Sequence, residues 1–197
     1  MALDLAVQNL LRTNELKQIN FTMAGIRVSG HGYWQLSNCF SDHPIRHRIR
    51  ITVRANLVGP RAQAVYAPDI DKIHLRSLTV LNTLAGRAAV VHECTHAQLD
   101  LRAVHTPIRA EEGAAFIAEA WYYLACGQAA ALGASDIPAD IANIATDLRN
   151  RSSQNTGRPA ALTATQINLA RAVMRGFGYQ NGHYQSDGIR GHRYRGR

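Results

Sequence analysis

The spacing of hydrophobic positions changes near residue 80. Before it, apart from one short segment, apolar residues recur every second position; after it they recur every three or four. Leu3, Val7, Leu10 and Leu11 share one side of a short amphipathic N-terminal helix. Residues 20–80 read as strands. Ile45, His47, Ile49, Ile51, Val53 and Ala55 occupy one parity, and Arg46, Arg48, Arg50, Thr52 and Arg54 the other. That is a half-buried strand with a cationic open face. Segments 61–67 and 72–76 predict two shorter strands around the turn Pro68-Asp69-Ile70-Asp71. Helices are predicted over 83–104, over the Ala-rich 109–126, over 136–149 and over 165–175. Ser135 or Asp136 caps the third, with Pro138 in its first turn. Thr163 or Thr165 caps the fourth, and Gly176 and Gly178 follow its end. Residues 150–160 read as a polar loop. Strands first and helices after predict an α+β fold, a mainly antiparallel N-terminal sheet followed by a helical half. Residues 1–178 are expected to form one domain and 179–197 a basic tail rich in Gly, Arg and Tyr.

Composition narrows the class. With 197 residues, 46% of them hydrophobic, the chain is long enough to bury a core without staples. No apolar run approaches the roughly 18 residues that span a bilayer. The apolar stretch from Ala2 to Leu11 is broken by Asp4, Gln8 and Asn9 and has no basic residues before it, so no signal peptide is expected. Cys39, Cys94 and Cys126 are odd in number and widely spaced, which argues for a reducing compartment rather than a disulfide framework. The expected location is the cytoplasm, or the exterior by an export route without a signal peptide of that kind. The net charge of +8 comes from an unbalanced cation set, 20 Arg against 2 Lys. Arginine suits bidentate contact with phosphate or carboxylate, so nucleic acid stays open as a partner.

One segment carries chemistry. His92-Glu93-Cys94-Thr95-His96 falls inside the helix predicted over 83–104. Histidines at i and i+4 project from one helix face, close enough to hold a single metal ion, with the glutamate between them beside it. The small apolar run Ala88-Ala89-Val90-Val91 would seat this face against a core. His43 and His47 have the same spacing, but Pro44 lies between them in an extended stretch, and they are read as non-ligands.

Residues 91–100, Val-His-Glu-Cys-Thr-His-Ala-Gln-Leu-Asp, resemble the active-site helix of the zincin metallopeptidases in their gluzincin branch. The resemblance covers about residues 65–125. It implies a Zn2+ ion held by His92, His96 and a downstream glutamate, with Glu93 as general base. The metzincin branch would need Gly and His where Leu99 and Arg102 stand, and the downstream His-Gly signature of SprT-like DNA-linked proteases is absent. The third ligand is sought among Asp100, His105, Glu111, Glu112 and Glu119. At about 100° per residue, Phe116, Glu119 and Tyr123 fall within about 40° of Glu112 on an apolar stripe, while Glu111 falls about 100° away. A carboxylate on a buried face is costly unless paired or bound to metal. This favours Glu112, with Glu119 and His105 as alternatives, and reads Glu111 as an acid suited to the helix dipole. Antiparallel packing of the two helices would put Glu112 nearer His96, and Glu119 nearer His92 as an acceptor for its second nitrogen. Asp100 is a weaker candidate for such support.

The leading expectation is therefore a zinc-dependent endopeptidase, a hydrolase in which activated water attacks a peptide carbonyl. Its substrate would be a peptide or protein, with an acidic one suited to the cationic frame. The strand Lys72–Arg76 is expected above the metal, binding substrate as an added strand. Tyr66, Tyr123, Tyr179, His183 and Tyr184 are the residue types available as oxyanion donors. The alternatives are an Arg-rich module binding nucleic acid or an acidic partner, a protease acting on nucleic-acid-bound proteins, and an exported effector or toxin protease.

Overall fold

The computed structural model describes residues 3–40, 49–102, 106–154 and 158–178. It begins with helix α1 (Leu3–Leu11), a single turn α2 (Asn14–Lys17) and a hairpin of β1 (Asn20–Met23) and β2 (Ile26–Ser29). The hairpin turns on Ala24 and Gly25, both with positive φ, as a two-residue connection of this hand requires. Helix α3 (Gly30–Ser37) follows directly, with Ser29 Oγ accepting the Gly32 N–H at its N-terminus. Then come β3 (Arg50–Val53), β4 (Ala64–Ala67) and β5 (Lys72–Leu75), before the long helices α4 (Leu84–Leu101) and α5 (Ile108–Ala125). A short α6 (Ala129–Gly133), α7 (Ala139–Gln154), β6 (Ala160–Ala161) and α8 (Ala164–Gly176) complete it. Thr163 and Gln166 form a reciprocal capping box on α8.

The α+β order is the one the periodicity predicts, and the four long predicted helices are present within a few residues of their expected ends. The sheet region differs in detail. It divides into two three-stranded sheets, β2-β1-β6 and β3-β5-β4, each with one antiparallel and one parallel ladder. The stretch read as strands between 20 and 80 is interrupted by α3, which starts at Gly30 directly after β2. The two residues of β6 lie in the stretch expected to be loop. Residues 45–48 of the cationic strand, His43, His47, and the tail 179–197 lie outside the described residues.

Helix α4 is the axis of the molecule. From Ala88 to Leu99 only Ala89 and Glu93 are not buried, because α3, α5 and β4 pack around it. Polar side chains so enclosed need partners. Thr95 Oγ1 bonds to the Val91 carbonyl and lies 2.6 Å from the Tyr33 hydroxyl, and Gln98 Oε1 accepts from Ser29 N. The first turn of α4 is capped by Thr83 Oγ1, which accepts from Gly86 N at 3.0 Å. Gly86 has to be glycine: a Cβ there would sit 1.9 Å from the Val80 carbonyl oxygen. Among the described residues no helix is long and apolar enough to cross a membrane.

Candidate metal centre

Four of the chain's five glutamates gather around two histidines where α4 meets α5. The helices run antiparallel, since the early α5 residue Glu111 meets His96 and the later Glu119 meets His92. Each imidazole is held on its Nδ1 side. His92 Nδ1 lies 3.0 Å from Glu119 Oε2, and His96 Nδ1 lies 2.9 Å from Glu111 Oε1. Glu111 Oε2 in turn accepts from Thr106 Oγ1 at 3.0 Å. With Nδ1 engaged, both Nε2 atoms turn to a common centre. Glu112 Oε2 stands there, 3.4 Å from His92 Nε2 and 3.7 Å from His96 Nε2. It is a buried oxygen with no hydrogen bond: both nitrogens are in ion-pair range without forming one. His92, His96 and Glu112, all buried, offer donor atoms within 4.8 Å of one another, a group that could hold one metal ion.

The electrostatics follow from burial and from carboxylate crowding. For His92, burial works to lower the pKa, but the carboxylates of Glu112, Glu119 and Glu93 around it outweigh burial and push the imidazole up to about 10. For Glu112, burial works to raise the pKa, and the neighbouring imidazoles of His96 and His92 hold it well below the ordinary carboxylate range. For Glu93 burial wins. Its pKa is raised although His92, His96 and the Tyr66 N–H all favour its charge. The Cys94 thiol, inside the motif but on the buried side, is pushed far up by burial and stays protonated, and it is not among the donors that converge.

Glu93 is positioned from the neighbouring sheet. Its Oε2 accepts the Tyr66 N–H at 2.7 Å. The register of β4 with β5, with Arg76 N–H on the Gln63 carbonyl, makes Val65 and Ala67 the residues bonded to β5. The N–H of Tyr66 therefore points outward from the sheet edge, toward α4. The Tyr66 hydroxyl reaches Asp100 Oδ2 at 2.7 Å and, more weakly, Asp71 Oδ1 at 3.4 Å. Glu93 and Asp100, two turns apart on α4, thus grip the two ends of one tyrosine. Phe116 closes the other side, its ring edge-on to His92 at 4.6 Å, and Phe177 packs on Phe116 at 5.8 Å.

Of the residues singled out from sequence, His92, His96, Glu112, Glu93 and Glu119 come together, with Glu112 between the two histidines rather than nearer His96. Asp100 accepts from the Tyr66 hydroxyl. His105 lies outside the described residues. Two expectations need correction. Glu111, set aside as a flank residue, is 5% exposed and holds His96, because the start of α5 tucks under α4 instead of facing solvent. And β5 cannot accept an added strand, because it is the central strand with β3 and β4 on its edges. The edge that faces α4 belongs to β4. The sequence reading does not find the support by Tyr66, a backbone N–H 27 positions from Glu93, or by Thr106, whose hydroxyl meets Glu111 five positions on because that glutamate is buried at the start of α5. Compared with protein-family models, curated proteins and solved structures, the chain matches none.

Proposed function

We propose that the protein is a zinc-dependent metallopeptidase whose metal is held by His92 Nε2, His96 Nε2 and Glu112. The observation that carries this reading is the bare Glu112 oxygen between two imidazoles whose other nitrogens are each fixed by a carboxylate. Donor atoms about 2.0–2.1 Å from a tetrahedral zinc lie roughly 3.3–3.4 Å apart, against 3.4 and 3.7 Å from Glu112 Oε2 to the two imidazole nitrogens. Carboxylate–histidine support of this kind sets the tautomer and raises ligand basicity. Charge points the same way: a divalent cation replaces the proton that His92 otherwise takes among its carboxylate neighbours.

Zinc supplies a Lewis acid that polarises a peptide carbonyl and makes water a nucleophile near neutral pH. The chain's own residues do the rest. Glu93 keeps Oε2 on the Tyr66 N–H and uses Oε1 to take the proton from the attacking water, then returns it to the leaving amine. An extended substrate lies along the β4 edge, where alternate main-chain groups point outward. Phe116 and Phe177 wall the site against water.

Metal analysis of the purified protein, paired with peptidase assays of Glu93→Gln, tests this reading. One equivalent of zinc in both proteins, with hydrolysis lost only in the variant, is expected. A wild type that takes up no zinc overturns it.

A further inference from the structure

The sheet that positions Glu93 has a second face. Ile51, Ile73, Leu75, Ala64 and Tyr66 point into the core, and the opposite parity carries Arg50 and Thr52 from β3, Lys72 and His74 from β5, Val65 and Ala67 from β4, and Arg54 and Arg76 just past the ends of β3 and β5. The parallel register sets Arg50 beside Lys72 and Thr52 beside His74. Thr52 Oγ1 and His74 Nδ1 lie 2.7 Å apart, which places both on this face. His74 is buried, and burial and the charges of Lys72 and Arg54 lower its pKa against the opposing charge of Asp69, so it is a neutral spacer beneath the exposed cations. Arg76 is occupied by the Gly59 and Ala62 carbonyls. Arg50, Arg54 and Lys72 have no carboxylate partner among the described residues, and both arginines are exposed. Like charges on adjacent strands destabilise a sheet unless an anion meets them.

We propose that this face binds the phosphate backbone of duplex nucleic acid without regard to base sequence. The chemistry selects among polyanions. Among the described residues the face carries no Phe, Tyr or Trp, the stacking platform on which single strands depend. It also lacks the buried aromatic or apolar anchor around which protein interfaces are built. What it offers is fixed cations at sheet spacing, Arg50 and Lys72 about 4.8 Å apart across strands and Arg54 about 13 Å further along. Phosphodiester chains bind to such an array on charge alone, and the net charge of +8 adds long-range attraction. The face lies on the side of the sheet away from α4, so binding there leaves the Glu93 side open and does not depend on the metallopeptidase reading.

The test is binding of the full chain to short labelled duplexes of unrelated sequence over a salt series. Arg50→Gln/Arg54→Gln/Lys72→Gln is compared with Arg149→Gln/Arg171→Gln/Arg175→Gln on α7 and α8. The sheet variant is expected to bind at least about tenfold more weakly for every sequence, with the slope of log K against log salt reduced by about 2–3, near 0.9 per lost phosphate contact. The helix variant and Glu93→Gln should bind as the wild type does, and circular dichroism should show all of them folded. Equal losses in the sheet and helix variants would overturn the proposal in favour of diffuse charge. So would a sheet variant that loses polyglutamate binding while keeping duplex binding, which would point to an acidic protein partner.

Discussion

Glu111 Oε1 lies 2.9 Å from His96 Nδ1, and its other oxygen takes the Thr106 hydroxyl at 3.0 Å. This contact fixes which nitrogen His96 turns to Glu112, and so whether the three donors converge. Replacing Glu111 with Gln keeps the shape and weakens the grip. Metal affinity is expected to fall about 10–100-fold, measured by competition with a chromogenic chelator. An unchanged affinity would show that Glu111 is only a structural acid.

Glu112 and Glu119 should rank differently. Glu112 provides the oxygen between the imidazoles, whereas Glu119 supports His92 from behind. Glu112→Gln should nearly abolish metal retention after dialysis, and Glu119→Gln should lower it within the same 10–100-fold range. The reverse order would assign the third ligand to Glu119.

The metal-free site should be pH-sensitive in a defined sense. The His92 pKa is raised from 6.5 to about 10 by its carboxylate neighbours against the effect of burial. A raised pKa contributes stability that is fully present below pH 6.5 and is lost as pH rises through about 10. A bound cation replaces the proton and removes that dependence. Metal affinity should therefore rise about tenfold per pH unit for each proton displaced. The Tm gain on adding zinc should grow from pH 6.5 toward pH 10. A gain that shrinks over this window, followed by thermal melts in matched buffers, would contradict the assignment.

The hydroxyl of Tyr66 is a tether separable from its backbone. Tyr66→Phe removes the bond to Asp100 and leaves the N–H that holds Glu93. A hydrogen bond to a charged partner contributes about 1.5–3 kcal/mol. Urea unfolding should show a loss of that size, with zinc affinity unchanged.

The close approach of Gly86 to Val80 predicts intolerance of any side chain. Gly86→Ala puts a methyl into the Val80 carbonyl. A loss of about 2–4 kcal/mol is expected, which lowers Tm by roughly 5–15 °C in a domain of this size.

Much of this arrangement is legible in the chain. Periodicity marks the four long helices because amphipathic patterning is a local property, and His92, Glu93 and His96 share a helix face by spacing alone. The wheel of the second helix brings Glu112 and Glu119 to the metal side for the same reason. It fails for Glu111. A wheel measures angle around one axis and cannot see that the start of α5 lies beneath α4, where the flank is also buried. The hairpin and α3 were merged into a run of strands because Gly30 and Gly32 look like breakers, whereas here they allow close packing: a Cβ on Gly30 would meet the Lys17 backbone and one on Gly32 the Gln98 side chain.

By itself, then, the sequence determined the α+β order, the helix that carries the histidines and the residue types able to hold a cation, all of which depend on neighbours within a few positions. Only the tertiary structure decided which carboxylate stands between the imidazoles and which ones hold them from behind. It also decided that β4 rather than β5 presents its edge to Glu93, and that the arginines of β3 meet Lys72 on the far side of the sheet. Those relationships join residues tens of positions apart. They are set by helix packing and strand order, to which local periodicity carries no information.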